Sequence, residues 1–235
     1  MAVADEQEPL GRPLPPPEDL VVRRSSGEQA ALYIRRLIFD GVLRQGDRVP
    51  QDAVAEVMGL SRVPVREALL SLEREGWVTI KPHRGAFIST LDESVVRDHY
   101  ALYGHVFGFA AARAAKRHSA EALAQLTDLQ KAVAAAEDPQ SAWRLNQAFH
   151  RAVIDMARSP RLPAVLTALA GIVPGNFFEL VPGSIEVEKQ GTAAILRALK
   201  RADGERASAE YAKMMRKQGD LVVSLFKARG ILPKR

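Results

Sequence analysis

Arg62 and Arg66 are the first residues in this chain whose type and spacing suggest chemistry. Four apart, they share one face if the segment is helical, and guanidinium groups there can grip phosphates or the edge of guanine. The residues around them supply that helix. Asp52 to Met58 reads as a short helix with Ala53, Val54, Val57 and Met58 on its apolar side. Gly59-Leu60 breaks it, because glycine tolerates the left-handed conformation of a tight turn. Ser61 then caps a second helix, with Val65, Leu69 and Leu72 on its buried stripe. Two short helices about such a turn form a helix-turn-helix, whose second helix can enter the DNA major groove. The same pattern also suits a plain helical hairpin with two solvated arginines, so the flanking sequence has to decide.

A second constellation lies far downstream. Asn146 and His150 are also four apart and share a helix face. An imidazole beside a neutral amide is a poor divalent-metal site, because no carboxylate balances the charge. His150 reads either as a buried, hydrogen-bonded polar residue or as a donor or acceptor toward a ligand. Catalytic signatures give no support for an enzyme: there is no nucleophile elbow, P-loop, GxGxxG or HExxH, and Asp155, five residues beyond His150, is off its face.

The elements that would position these residues follow from periodicity. Gly27 to Phe39 reads as a helix with Ala30, Ile34, Leu37 and Ile38 inward. After Gly76 the period becomes alternating. Trp77 to Ile80 and Ala86 to Ser89 are expected strands around Lys81-Pro82-His83-Arg84-Gly85, a hairpin with a basic tip. Helix, helix-turn-helix and hairpin together describe a winged helix, with His83 and Arg84 facing phosphates or the minor groove. From Asp92 the pattern is helical throughout, over roughly 92–117, 120–136, 139–157, 160–172, 184–201 and 204–229, punctuated by proline and glycine pairs. The expected fold is mainly α, a winged helix-turn-helix over 25–90 and an all-α bundle over 92–230. Residues 1–24, rich in proline and charge, read as a disordered arm whose Arg23 and Arg24 could touch DNA.

Composition is compatible with this. The 235 residues are 47% hydrophobic, enough for a sizeable core, and the formal charge of +5 modestly favours a polyanionic partner. Cysteine is absent, which excludes disulfides and thiolate metal sites. No apolar run approaches the ~20 residues needed to span a bilayer, and the first residues lack the order of a secretory signal. The expectation is a cytoplasmic protein with no membrane partner.

Residues 28 to 90 resemble the GntR family of bacterial transcription regulators. The resemblance is carried by SRVPVREAL from Ser61, by LEREG at Leu72 to Gly76 and by the wing at His83 to Gly85. It implies that Ser61, Arg62, Pro64, Val65 and Arg66 face DNA. Residues 92 to 230 resemble the FCD ligand-binding domain of the FadR-like subfamily, through LNQAFHRAVIDMARSPRL (Leu145 to Leu162) and AILRALKRADGERA (Ala194 to Ala207). That resemblance implies a helical bundle that encloses an effector and supports a homodimer. Many such domains hold a metal with one aspartate and three histidines. Here the aspartate position is Asn146, His150 is retained, and the other two histidine positions hold Thr192 and Met214.

Where the family often places an arginine and then a glutamate, this chain has Tyr103 and Phe107. These departures imply no metal cofactor and a small-molecule effector of hydrophobic kind, such as a fatty acid, acyl thioester or other lipid-like metabolite, because a carboxylate effector needs a cation to offset its desolvation. Tyr103, Phe107, Asn146, His150, Thr192 and Met214 are the expected pocket. The function implied is a homodimeric regulator, a repressor in the first instance, reading double-stranded DNA at a palindromic operator under effector control. The alternatives are a metal-dependent, organic-acid-responsive regulator of the same fold and a non-switching architectural DNA binder.

Overall fold

The computed structural model describes residues 25–169 and 172–232; the proline-rich arm with Arg23 and Arg24 lies outside them. The first element is α1 (Ser26–Phe39), started by a full capping box in which Ser25 Oγ accepts the Glu28 N–H and Glu28 returns a bond to the Ser25 N–H. Helices α2 (Gln51–Met58) and α3 (Arg62–Arg74) follow, then the antiparallel strands β1 (Val78–Lys81) and β2 (Gly85–Ile88). The expected strand ends, Trp77 and Ser89, fall just outside the ladder but remain joined, the Ser89 N–H donating to the Trp77 carbonyl at 3.0 Å. Arg48 adds an isolated antiparallel bridge to Phe87.

The α2–α3 turn rests on Gly59, whose φ of 62° puts it in the left-handed region while its N–H returns to the end of α2. Helix α2 is rotated from the expected face: Val54 and Ala55 are buried, whereas Ala53 and Val57 are exposed. Val65, Ala68, Leu69 and Leu72 form the buried stripe of α3 against Ala30, Ala31, Ile34 and Ile38 of α1.

The remainder is helical: α4 (Glu93–Arg117), α5 (Ala120–Ala135), α6 (Pro139–Ala157), α7 (Leu162–Leu169), α8 (Phe177–Leu180), α9 (Ser184–Lys200) and α10 (Gly204–Ala228). Side-chain caps start most of them, from Asp92, Ser119, Asp138 and Asp203. Helix α8 is a departure from the periodic reading. A single turn capped by Asn176 between Pro174-Gly175 and Pro182-Gly183, it is too short to show a period. Helices α4 and α10 run along each other through small residues on α4, including Gly104 and Gly108. The two halves meet at the end of α10. Phe226 packs edge-to-face on Phe39 with centroids 5.8 Å apart, and the Arg229 guanidinium lies 4.2 Å over the Phe39 ring while pairing with Asp40.

Candidate DNA-reading face and effector pocket

The start of α3 and the wing each present basic side chains to solvent. Ser61 stands at the N-cap of α3 with an extended backbone, but its hydroxyl makes no capping bond, contrary to the sequence expectation. Arg62 and Arg66 are exposed, as are His83 and Arg84 in the wing. Arg62 Nε lies 2.7 Å from Asp52 Oδ1 across the turn, both side chains largely in solvent. Among the described residues Arg66 and Arg84 hold no ion pair. His83 sits at a positive φ of 57°, which turns the wing tip tightly and keeps the imidazole and Arg84 outside the sheet.

Two readings of this face change. Val65 is fully buried (0% exposed) and belongs to the core between α1 and α3; its neighbour Val63, 62% exposed, takes the outward apolar position. The helical period explains the swap, since Val65, Leu69 and Leu72 point one way and Arg62, Val63 and Arg66 the other. Pro64 is only half-buried. Sequence reasoning also missed Arg48. Its backbone bridges to the wing, and its guanidinium lies across Gly85, where a Cβ would come within 3.0 Å of Nε. The available signal was a basic residue in the extended stretch Asp47 to Pro50 immediately before α2.

The bundle holds a partly open cavity of about 660 Å³, lined by Tyr100, Tyr103 and Phe107 of α4, by Trp143, Asn146 and His150 of α6, by α7, and by Phe177, Phe178, Glu188, Met215 and Gln218. This size and aromatic lining suit an organic ligand. At its floor is a buried polar chain. His150 Nδ1 lies 3.0 Å from the Tyr211 hydroxyl, and Nε2 lies 2.9 Å from Glu188 Oε1. Gln218 Nε2 donates to the Ser184 carbonyl at 3.1 Å and toward Glu188 Oε2 at 3.4 Å. Burial, reinforced by the Glu188 carboxylate, pushes the Tyr211 phenol well above its usual range. The hydroxyl therefore stays protonated; an ionised Glu188 can only accept, so Nε2–H donates to it, and in a neutral imidazole Nδ1 then accepts from the Tyr211 hydroxyl. Phe107 stacks on Tyr211 at 5.2 Å and nearly parallel, fixing that ring. His99, on the cavity wall, is lowered to about 4 by burial and is neutral near pH 7.

Family models match both halves: bacterial regulatory proteins of the gntR family over residues 26–88, and the FCD domain over residues 98–217, half of the chain. The chain belongs to the GntR regulators that carry an FCD domain. An uncharacterized HTH-type transcriptional regulator of Mycobacterium tuberculosis is 34% identical over 151 residues, covering 64% of this chain and 62% of that protein. YdhC, an uncharacterized HTH-type transcriptional regulator of Bacillus subtilis, is 27% identical over 57% of this chain and 61% of its own length. The chain thus spans about three-fifths of the length of the curated relatives it matches. Among solved structures, McbR/YncC of E. coli superposes with a TM-score of 0.58 at 22% identity, over 88% of this chain and 99% of the other. That likeness is one of fold.

Within the FCD domain, the structure brings Tyr103, Phe107, Asn146 and His150 to the cavity but not Thr192 or Met214. Thr192 is fully buried and its hydroxyl donates to the Glu188 carbonyl of its own helix at 2.9 Å. Met214 is packed between α9 and α10, its sulfur filling the space where a Cβ on Gly191 would stand, 2.1 Å away. The polar groups that do reach the floor lie one helical turn from those positions, Glu188 before Thr192 and Gln218 after Met214. The four-residue spacing of Ser184, Glu188 and Thr192, which puts a carboxylate on the inward face of α9, was the signal that could have revealed Glu188. The four FCD metal positions therefore present one imidazole, whose two nitrogens are already engaged, with an amide, a hydroxyl and a thioether. This set does not fit a divalent metal, and among the described residues no cluster of three or more His, Cys, Asp or Glu side chains could hold one.

Proposed function

We propose that the protein is a DNA-binding transcription regulator whose operator affinity is set by an apolar small molecule in the FCD cavity, without a metal. The observation that carries the DNA half is that Arg62 and Arg66 at the start of α3, and Arg84 and Arg48 at the wing, are all exposed on the winged helix. Arg66 lies in the first turns of α3, where side chains reach base edges, while the wing and Arg48 suit phosphates. The aromatic cavity supports the effector half, and its location next to α10, which ends against Phe39, gives a ligand a route to the winged helix. For the ligand to act as a switch it has to distinguish two arrangements of that joint by free energy.

A palindromic operator needs two recognition helices, hence a homodimer. Val95, Leu102 and Phe109 support one: they are exposed apolar residues seven apart along one side of α4, a seam that a second copy can cover. No helix among the described residues is long and apolar enough to cross a membrane, which accords with a cytoplasmic repressor. The test is selection of genomic DNA fragments by the full chain, followed by footprinting. Arg62→Ala with Arg66→Ala should abolish the protected site, each lost base contact costing about 1–3 kcal/mol. An unchanged footprint would remove these residues from the interface.

A further inference from the structure

The cavity walls are mostly apolar and aromatic, with His99, Gln147 and Thr167 among them, and its floor carries acceptors. Gln218 lines it, is 2% exposed, and its Oε1 has no donor. Its amide orientation is fixed, because Nε2 points at two oxygens, Ser184 O and Glu188 Oε2. Glu188, 4% exposed, accepts at Oε1 from His150 but only a long contact at Oε2. A carboxylate offers about four acceptor positions, so this one is undersupplied. Asn146 Oδ1 on the facing helix is likewise buried without a donor; its amide could be turned over, so the weight rests on Gln218 and Glu188.

Positive charge is missing from the same place. Among the described residues no lysine or arginine pairs with Glu188, whose contacts are His150 and Gln218. His99 is neutral near pH 7 because it is buried. Arg151 is the one lysine or arginine lining the cavity, and it stands at the edge, its side chain 71% exposed and paired with Asp155 at 3.3 Å. An anionic head at the floor would meet three acceptors and no cation, an arrangement that desolvation makes costly.

We infer that the cavity takes a ligand with an apolar or aromatic body and a hydrogen-bond-donating head, a protonated amine above all, that docks between Glu188 and Gln218. The inference rests on the proposed effector reading of this cavity and narrows it, excluding a free fatty acid seated head-first. The ammonium would donate to Gln218 Oε1 and Glu188 Oε2 and neutralise the carboxylate, while Tyr100, Tyr103 and Phe107 present ring faces to the cation and its body.

Three probes with one body separate the outcomes: 4-phenylbutylamine, 4-phenylbutan-1-ol and 4-phenylbutyrate, titrated calorimetrically into the full chain at pH 7. The amine should bind tightest, the alcohol next and the carboxylate weakest, with at least about tenfold between amine and carboxylate. Glu188→Gln should collapse the amine to the level of the alcohol. Equal affinities, or a carboxylate as tight as the amine, overturn the inference while leaving an apolar effector cavity in place. No heat from any of the three, up to millimolar concentration, overturns the cavity reading as well. Should Glu188→Gln fail to fold, the ranking of the three probes on the unaltered chain decides alone.

Discussion

The winged helix and the FCD cavity treat charge in opposite ways. On the candidate DNA-reading face, Arg62, Arg66 and Arg84 are held in water, where each costs little to keep and would be at hand for a phosphate. In the cavity, Glu188 and His150 are taken out of water and must be satisfied by the protein itself, which Tyr211 and Gln218 do only in part. Exposed charges make a surface that is insensitive to local mutation in stability but sensitive in binding. A buried polar chain has the reverse property, since removing one member strands its neighbours.

The sharpest way to break that contrast is Glu188→Ala. Removing one partner of a buried pair costs about 3–5 kcal/mol. The low end, about 3 kcal/mol, is expected as a fall in the urea midpoint at unchanged slope, since Gln218 and Tyr211 keep their other partners. Affinity of the folded protein for its DNA should be unaltered in the absence of ligand. A loss under about 1 kcal/mol would mean that Glu188 is not a structural member of the chain and that the contrast with the surface fails.

Next in size is Tyr211→Phe. The ring remains stacked on Phe107, so packing is conserved, and the loss is the hydroxyl that donates to His150 Nδ1. An unsatisfied buried acceptor costs about 1–3 kcal/mol, and a change of tautomer cannot relieve it, because Glu188 needs the proton on Nε2. Denaturant unfolding of Tyr211→Phe, Glu188→Ala and the double variant checks the coupling. A double loss smaller than the sum of the two singles is the expected mark of one connected chain.

The two regions also differed in how far they could be read before any coordinates. The exposed positions of Arg62, Arg66, His83 and Arg84 were legible because they depend on local spacing: a glycine turn, a helical period and a hairpin place them, all within thirty residues of one another. Val65 was misassigned only where the family resemblance was followed against the helical period, which had already put it in the core. The bundle helices were readable from their caps and proline breaks, apart from single-turn α8. The cavity floor was not, because Glu188 of α9 and Tyr211 of α10 meet His150 of α6 across 38 and 61 residues of chain, and Gln218 of α10 reaches Glu188 across 30. Whether an inward residue points into the cavity or between two helices is a matter of about one turn. That turn decides against Thr192 and Met214 and for Glu188 and Gln218.

The smallest expected effect concerns the one place where the exposed region adopts the habit of the buried one, the Arg62–Asp52 pair. Both side chains are more than two-thirds exposed, so the pair adds at most about 1 kcal/mol to stability, and Asp52→Asn should leave the melting temperature nearly unchanged. Its effect on DNA has a definite sign. Asp52 places a negative charge beside the guanidinium that would meet the duplex, so its removal should tighten binding to every sequence, by less than about tenfold, with a steeper dependence on salt. Equilibrium binding to specific and random duplexes at two salt concentrations separates this from the other physical possibility, that Asp52 holds Arg62 in the geometry of a bidentate base contact. In that case the variant would bind random DNA as predicted but lose discrimination for its own site. Arg62 would then be a positioned reader of bases, and the recognition face would depend on an internal partner much as the cavity floor does.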